Sequence, residues 1–428
     1  MSVAVIGGGY AGMAAAITLA DAGIPVTVYE AGAQLGGRAR RVEVNAVALD
    51  NGLHILLGAY RETRRLLGAV HSDPAGALLR LPLDWRVHGR FRFKAAPLPA
   101  PLHLAGGLLT VEGAAWGERL HAARFMRRMR AVRFKLERDT TVQALLATHR
   151  QGVSFVRHLW EPLCLAALNT LPARGSAQVF LNVLRDGLNA SSNAGEILLA
   201  RSDLSALFPA PAADYLRSHG HAVRTACAVE SLRLDGSAVV VRARGEEFRY
   251  AHAICAVSPH RAAALLAALP GLQSERGMLD RFRYQPIYSV YLQFDGAVRL
   301  PWPMLGLAGG MTQWIFDREA ICGQRGLVGA VISAEGAHQH MTHAQLAQSV
   351  HREIADAFAP LPPLVWHRVI AEKRATFECS VGLQRPSTQT ALRNIHLAGD
   401  YTASDYPATL ETAVRSGIAA AQQVISAH

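Results

Sequence analysis

Three glycines spaced as Gly7-x-Gly9-x-x-Gly12 are the first residues whose type and spacing suggest chemistry. Such a spacing suits a dinucleotide. The first glycine allows a tight turn, the second lets the backbone approach a pyrophosphate, and the third lets helix and strand pack closely. Glu30 lies 18 residues beyond Gly12, about where a carboxylate would take a ribose hydroxyl. Gly36-Gly37-Arg38 adds a second glycine pair, with a guanidinium whose planar donors match phosphate oxygens. Asp50-Asn51-Gly52-Leu53-His54 sets another glycine among polar side chains. Far downstream, Gly399-Asp400 and the stretch Pro407 to Gly417 form a Gly-Asp element followed by a helix. An aspartate there suits a ribityl hydroxyl, and the helix start suits a flavin ring or pyrophosphate. The distance between these two elements fits a cofactor too long for one mononucleotide half.

The elements that must hold these residues are legible nearby. Val3 to Ile6 reads as a buried parallel strand, Ala14 to Ala20 as a small-residue helix, and Val26 to Glu30 as a second strand. Ala222 to Glu230 and Ala238 to Arg244 alternate like strands, and Ala251 to Val257 is expected to return to the same sheet. Ile287 to Phe294 and Leu327 to Ser333 read as strands of a second region. Thr342-x-x-Gln345 is a capping box for a helix carrying Leu346, Val350, Ile354 and Phe358 on one face. Arg90 to Lys94 suits an edge strand. Trp302, Trp314, Phe316 and Tyr291 suit either an apolar channel or plain core. His338, His340 and His343 lack a nearby cysteine or acid, so a surface loop and helix start suit them better than a metal site.

Composition bounds the rest. The chain has 428 residues, half of them hydrophobic, which excludes a disordered protein. Five scattered cysteines exclude a disulfide scaffold or zinc ribbon and favour a reducing compartment. The net charge of +11 rests on arginine, since Lys94, Lys135 and Lys373 are the only lysines. No basic tail or RNA-binding aromatic motif accompanies that charge, so nucleic acid is not an expected partner. Met1 to Ile6 runs directly into a strand without the charged start of a secretory signal, and no apolar run is long enough to span a membrane. Segment 116–138 concentrates the charge. Arg119, Arg124, Arg127, Arg128, Arg130, Arg133, Lys135 and Arg138 surround a stripe of Phe125, Met129, Val132 and Leu136. A basic amphipathic helix of this kind suits a membrane interface. The same stripe would also serve an ordinary helix packed on the core.

Gly7-x-Gly9-x-x-Gly12, Glu30, Gly36-Gly37-Arg38 and Gly399-Asp400 together resemble the FAD-dependent amine oxidase and phytoene desaturase superfamily. Asp50 to Thr63 and Leu159 to Asn169 are similar to one branch, the squalene-associated FAD-dependent desaturases, regarded as hydroxysqualene dehydroxylases of hopanoid synthesis. Leu53 stands where many members have Gln. The resemblance implies an α/β fold with a discontinuous Rossmann-like FAD-binding domain over 1–70, 200–264 and 386–428. A substrate-binding, membrane-facing domain of mixed sheet and helices would occupy 71–199 and 265–385. It further implies cofactor contacts at Ala11, Ala31, Gly52, Leu53, His54, Val229, Thr409 and Leu410.

The activity implied is reductive removal of the hydroxyl from a hydroxysqualene-like lipid, giving squalene, with the protein cytoplasmic and peripheral on the inner face of the membrane. Expelling hydroxide at neutral pH needs a proton donor, for which His54, Tyr60 and Glu161 are the candidates. A carotenoid or phytoene-type desaturase is the nearest alternative, using the same cofactor oxidatively. A flavin-free prenyl-lipid escort is a second, although such escorts lose the phosphate-loop features that are intact here. An amine or protoporphyrinogen oxidase, or an NAD dehydrogenase, accounts for less of the pattern.

Overall fold

A computed structural model describes residues 2–189 and 193–427. Five parallel strands form one sheet, in the order Ala222–Arg224, Val26–Tyr29, Val3–Ile6, His252–Cys255, Ile395–Leu397. Side chains alternate across a strand, so a sheet buried on both faces feeds two cores. Val3 and Val5 join the helices Tyr10–Asp21 and Leu410–Ser426 on one face. Ala4 and Ile6 join the antiparallel sheet Val229–Asp235, Ala238–Ala243, Glu246–Tyr250 on the other. The two helices touch backbone to backbone, because a Cβ on Gly417 would sit 2.0 Å from the Ala11 carbonyl oxygen.

A second sheet has seven strands: Leu364–Phe377, Tyr284–Phe294, Leu327–Ser333, Trp314–Asp317, Met304–Gly306, Asp84–Val87 and Phe91–Lys94, the last an edge strand as expected. Its pairs are antiparallel except Met304–Gly306 with Asp84–Val87. The helix His343–Phe358 covers one face, where Leu346, Val350 and Ile354 meet Val290, Ala330 and Ile332. That helix starts at the capping box read from sequence: Thr342 Oγ1 accepts from Gln345 N at 3.2 Å and Gln345 Oε1 accepts from Thr342 N at 2.9 Å. The strands of the parallel sheet all fall within 1–70, 200–264 and 386–428, and those of the seven-stranded sheet within 71–199 and 265–385. A small sheet of Leu56–Leu57, Leu78–Leu81 and Ile197–Ala200 joins the two sets. The architecture is mixed α/β.

Two expectations need correction. The basic segment 116–138 is helical only over Trp116–Ala131, and Arg133 and Phe134 turn left-handed at φ 52° and 56°. Its apolar stripe faces inward: Phe125 and Met129 are buried, with Phe125 edge-on to Trp160 at 5.5 Å. The arginine-bearing surface faces out, with Trp116 exposed at the helix start. His338 is not a surface residue either, since it is buried edge-on against Tyr288 at 4.8 Å.

Candidate cofactor and substrate cavity

One cavity of about 840 Å3 runs from the C-terminal ends of the parallel strands to the uncovered face of the seven-stranded sheet. Ligands of open parallel sheets gather at such strand ends. Of the residues picked out by sequence, Gly7, Gly9, Ala11, Glu30, Ala31, Gly36, Gly37, Arg38, Gly52, Leu53, His54, Tyr60, Gly399, Asp400, Thr409 and Leu410 line it. Gly12, Val229 and Glu161 do not. Gly12 packs helix on turn, where a Cβ would meet the Gly7 carbonyl oxygen at 1.9 Å. Val229 begins a strand of the antiparallel sheet and packs against the core. Glu161 sits at the start of the helix Glu161–Leu168.

The cradle at the strand ends is built from backbone. Gly7 adopts φ +113° and Gly36 φ +119°, conformations open to glycine. Gly36 N donates to Gly8 O at 2.9 Å, bringing Gly9 against Gly36 and Gly37. Glu30 closes the rim, accepting from Gly8 N at 2.8 Å and Gly32 N at 2.7 Å. Arg38, in the segment after the strand Val26–Tyr29, fastens it to the chain beyond the last strand and to Leu364–Phe377, with Nη2 donating to Asp400 Oδ1 at 2.6 Å and Nη1 to Ala375 O. Burial opposes its charge, but Asp400, followed by Glu372, holds the guanidinium above its ordinary pKa. Asn51 Nδ2 steadies the group, donating to Arg38 O at 3.1 Å and to Glu372 Oε2 at 3.3 Å. Surfaces of glycine backbone beside a committed cation fit a diphosphate, and the crowding at Gly7 and Gly12 leaves no room for larger residues.

His54 Nδ1 lies 2.7 Å from Gly52 O, so this nitrogen carries the proton and donates. Burial first, and Arg38 after it, push the imidazole pKa down against the pull of that carbonyl, which keeps the ring neutral. Leu53 fills the notch over Gly329, where an added Cβ would come within 2.6 Å of its Cδ1. Burial raises the Tyr60 pKa, and its hydroxyl meets the Thr409 side chain.

Sequence reasoning passed over a second polar group on the cavity wall, made of Asp186, Tyr406 and Arg415. Arg185 forks onto Asp186 at 2.8 and 2.7 Å, Tyr406 Oη donates to Asp186 Oδ2, and the Arg415 guanidinium lies 5.2 Å from the Tyr406 ring centre. No local pattern could have marked these residues, because the segments lie 220 positions apart.

Beyond these groups the cavity turns apolar. Trp85, Phe93, Leu159, Leu163, Met304, Trp314 and Phe316 line it, with Trp85 edge-on to Trp314 at 4.5 Å. Trp314 and Phe316 are therefore wall residues. Tyr291 is core, its hydroxyl donating to Asp50 O at 2.9 Å, and Trp302 lies under Arg86 at 3.8 Å.

Residues 10–425 match the family model for flavin-containing amine oxidoreductases. The chain is 32% identical to a hydroxysqualene dehydroxylase of Rhodopseudomonas palustris, over 100% of this chain and 99% of that one. It is 30% identical to another from Sinorhizobium fredii, over 99% and 98%. A zeta-carotene desaturase of Synechocystis is 23% identical, over 100% and 97%. Among solved structures, an oxidoreductase from Methanosarcina mazei superposes with a TM-score of 0.75 at 12% identity, covering 99% of this chain and 100% of that one. A cyclohexylamine oxidase from Brevibacterium oxydans gives 0.70 at 16% identity, covering 100% and 99%. The chain belongs to the flavin-containing amine oxidoreductase family and is an FAD-dependent oxidoreductase.

Proposed function

We propose that this enzyme reductively removes the hydroxyl of a hydroxysqualene-like C30 isoprenoid, giving squalene. The observation that carries the reading is the continuity of one cavity from a diphosphate cradle, past a few hydroxyl-bearing side chains, into an apolar limb. A lipid with a single oxygen matches that order, and the dehydroxylase relatives align over the whole chain. Glu30, Gly36, Gly37, Arg38, Asp400 and the strand-end glycines would hold FAD, with Thr409 and Leu410 opening the helix toward the ring. Once bound and reduced, FAD supplies the hydride that replaces the departing hydroxyl. The chain supplies everything else. The tryptophans and leucines exclude water from the reacting carbon, and a proton donor meets the leaving oxygen. His54 and Tyr60 stand on the cavity wall within the polar stretch, whereas Glu161 lies outside it and has no part in the proposal.

Carotenoid desaturation is the second reading, favoured by the full-length match to a zeta-carotene desaturase. Incubating reduced protein with hydroxysqualene and seeking squalene by mass spectrometry separates the two, because a desaturase would be reduced by its substrate and would yield no squalene.

We further propose that segments 1–70, 200–264 and 386–428 form the cofactor half and 71–199 and 265–385 the lipid half. We place the protein at the inner face of the cytoplasmic membrane. No helix among the described residues is long and apolar enough to cross a membrane. What supports peripheral contact is the outward arginine surface of Trp116–Ala131 together with exposed apolar side chains near its start, Trp116 at 63% and Val153 at 70%. Anionic headgroups would meet the arginines, and Trp116 would seat in the interface. Co-sedimentation with anionic vesicles, weakened by salt and by Arg124→Glu with Arg127→Glu, is the expected outcome. Equal retention on neutral vesicles would contradict it.

A further inference from the structure

A proton donor must be reloaded after each turnover, and this requirement distinguishes the polar residues of the cavity. His54 and Tyr60 line the cavity, and the partners they meet are Gly52 O and Thr409. Neither partner is an ionisable group that could pass on a proton. Tyr406 differs. It lines the cavity on one side, and its hydroxyl donates to Asp186, whose side chain is 33% exposed and forked by the 37% exposed Arg185. Two further contacts fix its place: Arg385 Nη1 donates to Tyr406 O at 2.9 Å, and Asn182 Nδ2 donates to Asp405 O at 2.8 Å. Burial first, and Asp186 after it, raise the pKa of the phenol, and Arg185 and the Arg415 guanidinium over the ring oppose that rise.

We infer that Tyr406 binds the substrate hydroxyl and is the acid that protonates it, with Asp186 and Arg185 as positioning residues that connect it to solvent. The inference rests on the dehydroxylase reading. With substrate bound, the Tyr406 hydroxyl turns its one proton from Asp186 to the substrate oxygen; as the C–O bond breaks, its electron pair leaves on that oxygen, which takes the proton and departs as water. The carbon takes the hydride equivalent from reduced FAD, which ends oxidised. The phenolate, beside Asp186 and its partner Arg185, recovers a proton from solvent by way of Asp186. Phenol and carboxylate thus finish as they began, and reduced FAD is the sole reductant consumed.

The probe for hydroxyl recognition is a C15 allylic alcohol, farnesol, compared with the hydrocarbon farnesene, each followed by its perturbation of the flavin spectrum of the holoenzyme. Wild type is expected to bind the alcohol at least about tenfold more tightly. Tyr406→Phe, which keeps the ring under Arg415, is expected to lose that preference. With hydroxysqualene, single-turnover rates in Tyr406→Phe should fall at least about 100-fold with flavin content unchanged. The solvent deuterium isotope effect of wild type should disappear with them. Asp186→Asn, the second variant, should lower the rate less and leave the alcohol preference in place. Equal binding of alcohol and hydrocarbon by wild type, or turnover by Tyr406→Phe within about threefold of wild type, would overturn the assignment. A wild type that prefers the alcohol through Tyr406 yet makes no squalene would support the hydroxyl site and sink the dehydroxylase reading instead.

Discussion

Arg38 is the residue on which the proposed cofactor cradle turns, because it joins the segment after the strand Val26–Tyr29 to Asp400, beyond the strand Ile395–Leu397. Breaking a hydrogen-bonded charge pair of this kind leaves Asp400, itself buried, without its partner. Arg38→Met is therefore expected to weaken FAD binding by about ten- to a hundredfold, read by flavin fluorescence titration. Unchanged affinity would show that the pair is structural only. Arg38 and Asp400 were legible because each abuts a glycine whose spacing has a meaning of its own, and Glu30 because it ends a strand 18 residues beyond Gly12. Tyr406 and Asp186 were not, since neither stands in a pattern and only the fold brings them together. Val229 is marked by resemblance alone, for a backbone contact to the cofactor; its side chain is partly buried against the core.

At the scale of elements, Glu411 does the work of a cap from a distance. The helix Arg61–Val70 begins at Tyr60 without a side-chain cap of its own. Glu411, on the last helix, accepts from Glu62 N at 3.1 Å, Thr63 N at 2.9 Å and Thr63 Oγ1 at 2.7 Å, while Arg415 Nε donates to it at 2.8 Å. Glu411→Ala would orphan these donors, costing about 2–3 kcal/mol and loosening both Tyr60 and Thr409. A lower Tm together with reduced flavin content is the expected result, and an unchanged Tm would contradict it. The helix His343–Phe358 was legible because its cap and its apolar face are local. The segment 116–138 was only half legible. Periodicity carried the stripe through Val132 and Leu136, but the backbone turns left-handed at Arg133, and no side-chain pattern announces that turn.

For the whole molecule, burial of histidine sets a pH limit. His396 lies between Gln423 and His252, and burial lowers its pKa to about 4 from an ordinary 6.5, helped by His252 and opposed by Gln423. Between pH 6.5 and 4 the unfolded chain takes up a proton that the folded chain refuses, so stability falls as pH drops through that window. The loss from this one residue is on the order of 3 kcal/mol by pH 4. His396→Gln should flatten the dependence of Tm on pH over the same range, and parallel curves for the two proteins would contradict this. The parallel sheet, its glycine turns and the order of its strands along the chain were visible in sequence because each rests on short-range spacing. The shared cavity was not, since its walls come from both sheets and from helices distant in the chain.

The central claim concerns the direction of electron flow, and one anaerobic measurement reads it directly. The flavin of the purified protein is reduced, hydroxysqualene is added, and flavin reoxidation is followed together with squalene by mass spectrometry. Reoxidation with one squalene formed per flavin is the expected result. A flavin that stays reduced with hydroxysqualene, and is instead reduced from its oxidised form by a polyene precursor, would contradict reductive dehydroxylation and make the enzyme a desaturase.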